Sequence, residues 1–302
     1  MGSDPRSERH AVLAELLATE GLDALLVTSL PNIRYLTGFS GSAALGIVTA
    51  RGVLLVTDSR YEEQARAEAD GAARVVIERT SVWERLFKEL GSYGPLETIG
   101  YEAHAVWAKD AQRFAATATA WQWRAAPELV ERLRLRKTPA EVAAIRAAAT
   151  LAGEALRATL CAVRVGQTEC EIAGMLEGHL RRCGSEAHPF PTIVASGERT
   201  AWPHARTSSR PVARGEWLLL DFGAQVDGYC ADVTRTVLVG ARATEGQRVL
   251  YELVQSAQRG ARERIRAGMT GREADALARD GIEARGFGDA FGHSLGHGLG
   301  LE

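Results

Sequence analysis

Apolar and polar positions follow two different periods along this chain, and the switches between them predict its elements. Across residues 9–19 apolar side chains recur at helical spacing, and the pattern stops at Gly21. Ala24-Leu-Leu-Val-Thr28 is an unbroken apolar run of strand length. Residues 45–58 hold two apolar runs about Arg51-Gly52, which predicts a hairpin turning on that pair. Helical spacing returns over 61–69 and 82–90, with strand patterns at 73–78 and 98–101. Helices and strands interleaved in this way predict a small α/β or α+β domain running to about Val130.

Beyond it the pattern changes. Glu131-Arg-Leu-Arg-Leu-Arg-Lys137 is a basic stretch that marks a boundary, giving domains at 1–133 and 134–302. Thr138-Pro139-Ala140-Glu141 then reads as a helix start, with a capping box and proline at the first helical position. Thr168 with Glu171, Thr244 with Gln247 and Thr270 with Glu273 repeat the signal, all in the second domain. Val163-Arg-Val-Gly-Gln-Thr168-Glu-Cys-Glu171 resembles Ile265-Arg-Ala-Gly-Met-Thr270-Gly-Arg-Glu273, offset by 102 positions. The second domain therefore reads as two copies of one α+β unit: long helix, second helix, then strands. The first copy ends in a hairpin over 217–239, and the counterpart of that hairpin would begin after residue 302.

Composition narrows the function without naming it. The chain has 302 residues, 46% hydrophobic and 25% charged, enough for two domains with their own cores. A net charge of −2 gives no reason to expect nucleic acid or an anionic membrane as a partner. No apolar run approaches the roughly 20 residues that span a bilayer. Met1-Gly-Ser-Asp-Pro-Arg6 lacks the apolar core of a signal peptide, so the protein reads as cytoplasmic. Cys161, Cys170, Cys183 and Cys230 have no Cys-x-x-Cys spacing and read as reduced core residues.

The chemistry concentrates in two places. Asp221-Phe-Gly-Ala-Gln-Val-Asp227-Gly228-Tyr-Cys-Ala-Asp232 carries Asp-Gly between apolar runs, the strongest short-range hairpin signal. With that turn as centre, Val226 faces Tyr229 and Asp221 faces Thr234, so Asp232 lies diagonal to Asp221 on the same face. Two carboxylates converging there favour a cation, because burying either one alone costs several kcal/mol. The bland reading is that Asp221 ends a strand and Asp232 faces solvent. Phe291-Gly-His293-Ser-Leu-Gly-His297-Gly-Leu-Gly-Leu-Glu302 is too glycine-rich for a helix, so His293 and His297 are not a helical pair. No strand leads into it and no helix follows, which rules out a dinucleotide loop; a solvated surface loop is the rival. His204, in Trp202-Pro-His204, is weak alone and stronger beside the others.

These residues resemble the Xaa-Pro dipeptidase (prolidase) and aminopeptidase P family. The Asp221…Asp232 spacing, the Asp-Val-Thr-Arg-Thr run and the His-Ser-Leu-Gly-His-Gly-Leu-Gly-Leu-Glu stretch carry the likeness. Asn32-Ile-Arg-Tyr-Leu-Thr-Gly-Phe39 and Thr57-Asp-Ser-Arg-Tyr61 are similar to that family's creatinase-like amino-terminal domain. The resemblance implies an α/β amino-terminal domain followed by a pseudo-symmetric α+β "pita-bread" metallopeptidase domain. It implies metal ligation by Asp221, Asp232 and His297, with Asp232 bridging two divalent ions, usually manganese or cobalt. His204 and His293 are then expected to contact substrate or stabilise the tetrahedral intermediate. The implied substrate is a dipeptide or peptide with proline second, and the implied assembly is a homodimer. The family's next histidine and its two glutamate ligands would lie after Glu302, so the pita-bread domain reads as truncated, with a partial metal site and a loosely held 286–302 stretch. Xaa-Pro dipeptidase is the expected activity, Xaa-Pro aminopeptidase the first alternative, and a non-catalytic peptide-binding relative the alternative of another class.

Overall fold

Strand patterns that are apolar at every position are buried on both faces, and the amino-terminal sheet follows that rule. The computed structural model describes residues 4–117 and 119–302; the first three residues of the amino-terminal reading above lie outside them. Strands β1 (Ala24–Val27) and β2 (Ala44–Thr49) are buried throughout, and β3 (Gly52–Asp58) is buried except at its ends. Successive side chains point to opposite faces. Leu25, Val27, Val48 and Leu55 join one core with helices α1 (Pro5–Thr19) and α2 (Leu30–Thr37). Ala24, Leu26, Ile47, Leu54 and Val56 join another with Leu86 and Leu90 of α4 (Val82–Ser92), α3 being the intervening helix Glu62–Glu68. The sheet gains β4 (Arg74–Glu78), β5 (Thr98–Glu102) and β6 (Gln122–Ala126), in the order β4-β3-β2-β1-β5-β6. The β1–β2 and β2–β3 pairs are antiparallel, and the β1–β5, β3–β4 and β5–β6 pairs are parallel. An α/β layer with helices on both faces is the result.

Some expectations shift. Thr49 pairs with Gly52, so the β2–β3 turn centres on Ala50-Arg51, one residue before the predicted pair. Helices α2, α5 (Ala108–Ala116) and α6 (Leu129–Arg134) and edge strand β6 were not foreseen. The basic stretch read as a boundary is half helix, and the two compact units divide at Thr138/Pro139.

The second unit opens on α7 (Pro139–Ala162) and α8 (Glu169–Cys183), followed by the antiparallel sheet β7 (Ile193–Ser196), β8 (Trp217–Val226) and β9 (Tyr229–Leu238). A second helix pair, α9 (Glu245–Arg264) and α10 (Gly271–Glu283), follows. Capping boxes form at Thr168, Thr244 and Thr270, and the two helices of each pair pack together. No helix among the described residues is long and apolar enough to cross a membrane. The four cysteines are free, but Cys161, Cys170 and Cys183 are exposed and only Cys230 is buried. Each of the three sits on a helix, away from the core-facing stripe.

Candidate metal and peptide site on the β8–β9 hairpin

Leu218, Leu220, Phe222 and Ala224 are fully buried against the α7–α8 core. Period-2 alternation therefore turns Asp221 and Gly223 to the opposite face of β8. Slipping the register by one residue would expose those apolar side chains at about 1.5–3 kcal/mol for each large one. The hairpin turn completes the alignment. Asp227 and Gly228 both take positive φ, 51° and 79°, the conformation of a two-residue primed turn. Glu186 accepts both turn amides, from Asp227 at 2.7 Å and Gly228 at 2.9 Å. Val226 then pairs with Tyr229, Asp221 with Thr234 and Gly223 with Asp232, the register expected from Asp-Gly.

The two aspartates thus share one face at diagonal positions. Asp221 is half-buried and Asp232 exposed, so the pair is less enclosed than the sequence suggested. Burial pushes the Asp221 carboxyl above its ordinary range, the Asp232 charge adds to the rise, and a hydrogen bond from Thr234 (2.8 Å) and the nearby His204 oppose it. A carboxyl in that state is one that a cation would relieve.

His297 Nε2 lies 3.2 Å from Asp232 Oδ2. Its Nδ1 is 2.8 Å from the Gly298 carbonyl, which as an acceptor fixes a proton on Nδ1 and makes Nε2 the ring nitrogen that faces Asp232. Two donors 3.2 Å apart can serve one divalent ion at bond lengths of about 2.1 Å. In donor chemistry the site fits such an ion. Among the described residues, however, no three His, Cys, Asp or Glu side chains converge as one closed group. Asp232 meets Asp221 on one side and His297 on the other.

The remaining histidines are not in direct contact with the aspartates, although His204 lies near enough to Asp221 to act on its carboxyl. His293 Nδ1 is 2.8 Å from the Ser294 carbonyl, and the residue is exposed. His204 is exposed at the tip of the segment that joins β7 to β8. The glycine-rich 291–300 stretch is irregular, as its composition predicted, yet it is not loose. Arg279 donates to the Phe291 and His293 carbonyls, both at 2.7 Å, and Asp275 accepts from the Leu295 amide at 2.8 Å. Asp275 and Arg279 also pair with each other one helical turn apart on α10. The Cys230 amide donates to the Gly300 carbonyl at 2.7 Å, tying the stretch to the hairpin. The expectation of a loosely held stretch is corrected: one helix and one strand hold it.

Sequence reasoning placed Thr234 opposite Asp221 without its hydrogen bond to that carboxylate, and it missed Glu186, Asp275 and Arg279. Asp275 and Arg279 at i,i+4 have the spacing of an ordinary surface pair. Only the absence of secondary structure just after α10 hinted that their free valences would go to backbone.

Comparison with known proteins agrees with this architecture. A model of metallopeptidase family M24 matches residues 143–302, and a model of the creatinase/prolidase N-terminal domain matches residues 9–136. The chain is 38% identical to the uncharacterized peptidase YqhT of Bacillus subtilis over 290 residues, covering 96% of this chain and 81% of that one. It is 31% identical to the Xaa-Pro dipeptidase of Pyrococcus furiosus over 299 residues, covering 98% and 82%. Among solved structures, the Xaa-Pro dipeptidase from Bacillus anthracis superposes with a TM-score of 0.92 at 35% identity, over 98% of this chain and 82% of that one. The X-Pro aminopeptidase from Thermotoga maritima gives 0.88 at 35% identity, with the same coverage. With a family model spanning more than half its length, the chain belongs to metallopeptidase family M24 and carries a creatinase/prolidase N-terminal domain ahead of the peptidase unit.

Proposed function

We propose that the protein hydrolyses the peptide bond preceding proline in Xaa-Pro dipeptides and requires a divalent metal ion. The observation that carries this reading is the Asp221–Asp232 pair on one face of the β8–β9 hairpin, with His297 Nε2 against Asp232. Asp221, Asp232 and His297 would hold the metal; their carboxylate and imidazole donors suit manganese or cobalt. When bound, the ion supplies Lewis acidity toward the scissile carbonyl. Thr234 orients the Asp221 carboxylate by donating to it. His204 and His293, both exposed, donate to or accept from the substrate. Free cysteines suit a reducing compartment, so we place the protein in the cytoplasm.

The test is hydrolysis of Ala-Pro, Ala-Ala and Ala-Pro-Ala by manganese-loaded and chelated protein. Expected are release of proline from Ala-Pro, little action on Ala-Ala, and loss of activity on chelation that manganese restores. Equal rates on Ala-Pro and Ala-Ala, or turnover that survives chelation, would overturn the reading. An aminopeptidase is the second reading, favoured by the likeness to the Thermotoga maritima X-Pro aminopeptidase. It predicts faster cleavage of Ala-Pro-Ala than of Ala-Pro.

A further inference from the structure

The first residue of α8 is a glutamate with no exposed surface, and it does not serve the helix. The capping box at that end uses Thr168 and Glu171. Glu169 instead turns its carboxylate toward the segment between β7 and β8. Its Oε1 accepts from the Ser196 amide at 2.8 Å and the Ser196 hydroxyl at 2.9 Å. Its Oε2 accepts from the Ser208 amide at 3.0 Å and the Ser208 hydroxyl at 2.6 Å. Arg199 Nε lies 3.2 Å from both oxygens. One carboxylate thus binds the beginning, the body and the end of a single stretch of chain.

That stretch carries His204. A 3₁₀ turn at Gly197–Ala201 opens it, and residues 201–204 at its tip are exposed. The Arg199 guanidinium, held by Glu169, also donates to the Arg206 carbonyl and lies 5.0 Å from the centre of the Trp202 ring. The exposed tip takes its direction from such anchors. Burial alone would raise the Glu169 carboxyl, but Ser208, Ser196 and the Arg199 charge hold it below its ordinary range, so it stays ionised and a strong acceptor.

We propose that Glu169 is a positioning residue: acting through Ser196, Arg199 and Ser208, it fixes the segment that aims His204 at the Asp221–Asp232 site. The inference rests on the peptidase reading above and adds to it a residue that touches neither metal nor substrate. It predicts a split. Misplacing His204 lowers turnover, while the candidate metal ligands, which lie on β8, β9 and the 291–300 stretch, keep their affinity.

The experiment compares Glu169→Gln, Arg199→Lys, His204→Ala and the two doubles with His204→Ala, all in the full chain. Glutamine keeps the shape of the side chain but points an amide donor at one of the two serine amides. The expected result for Glu169→Gln is a loss of kcat/KM on Ala-Pro of about 100-fold, the scale of a small misplacement of a reacting group. Manganese affinity by calorimetry is expected to stay at the wild-type value. In the His204→Ala background Glu169→Gln is expected to add almost nothing, because both changes remove one function. In the metal-free protein, amides of residues 197–207 are expected to exchange faster. Wild-type kcat/KM in Glu169→Gln, losses that multiply with His204→Ala, or manganese affinity falling in parallel would each overturn the proposal. If Glu169→Gln does not fold, Arg199→Lys carries the same cycle. If wild-type protein leaves Ala-Pro intact, the peptidase reading fails, and unchanged exchange in 197–207 is then the result that overturns the clamp.

Discussion

Asp232 is the side chain at which both candidate contacts meet, His297 at 3.2 Å and the diagonal Asp221 across the hairpin. Asp232→Asn keeps the volume and removes the charge. It is expected to bring Ala-Pro hydrolysis below detection and to abolish manganese retention through dialysis. The metal-free variant should melt no lower than wild type, since losing one of two neighbouring like charges relieves the repulsion that acts on Asp221. An Asn variant with wild-type manganese content would refute the role. Asp221 and Asp232 were legible in the sequence because a two-residue turn at Asp227-Gly228 dictates what faces what. Glu169 was not legible. It directly follows an N-cap threonine, where acids ordinarily face solvent and favour the helix dipole, and nothing local reveals that a distant segment folds over it.

At the level of the element, the same substitution separates close packing from open space. Gly223 sits directly across from Asp232, and a Cβ there would come within 2.3 Å of the Pro189 ring and 2.5 Å of the Ala231 carbonyl oxygen. The carbonyl belongs to β9 and cannot yield without moving Asp232. Gly223→Ala is therefore expected to destabilise by about 1–3 kcal/mol in chemical denaturation and to weaken manganese binding. Gly153, inside α7, meets nothing within 4 Å. Gly153→Ala should stabilise by about 0.5–1 kcal/mol with manganese binding unchanged. Equal effects at the two positions would mean that the β8–β9 spacing does not set the site. Elements were legible where pattern or cap was strong: the all-apolar runs of β1 to β3, and three capping boxes in the second unit. They were not legible where long-range pairing decides. Strand β6, Gln122-Trp-Arg-Ala-Ala126, has no clean alternation and is defined by parallel pairing with β5. Helix α2 is short, and tertiary packing of Ile33, Tyr35 and Leu36 supports it more than propensity does.

Across the whole molecule, the two units have separate cores, with the candidate ligands all in the second. The internal repeat was legible because helix caps recur as short strings of fixed chemistry: Thr168 and Thr270, 102 positions apart, both cap helices through complete capping boxes. The division at Thr138/Pro139 was legible only to within a few residues, since a basic stretch marks a boundary but not where a helix will stop. This separation makes metal binding a regional event. An ion that binds only the folded state adds about 2.7 kcal/mol when its concentration is 100 times Kd. Amides protected by that gain should be those whose opening destroys the site. Hydrogen exchange with saturating manganese is thus expected to slow in β8, β9 and the 291–300 stretch, where Asp221, Asp232 and His297 lie. Amides of β1, β2 and β3 open with their own cores and should exchange as they do without metal. Equal protection in both units, or protection confined to the first, would place the ion somewhere other than the hairpin.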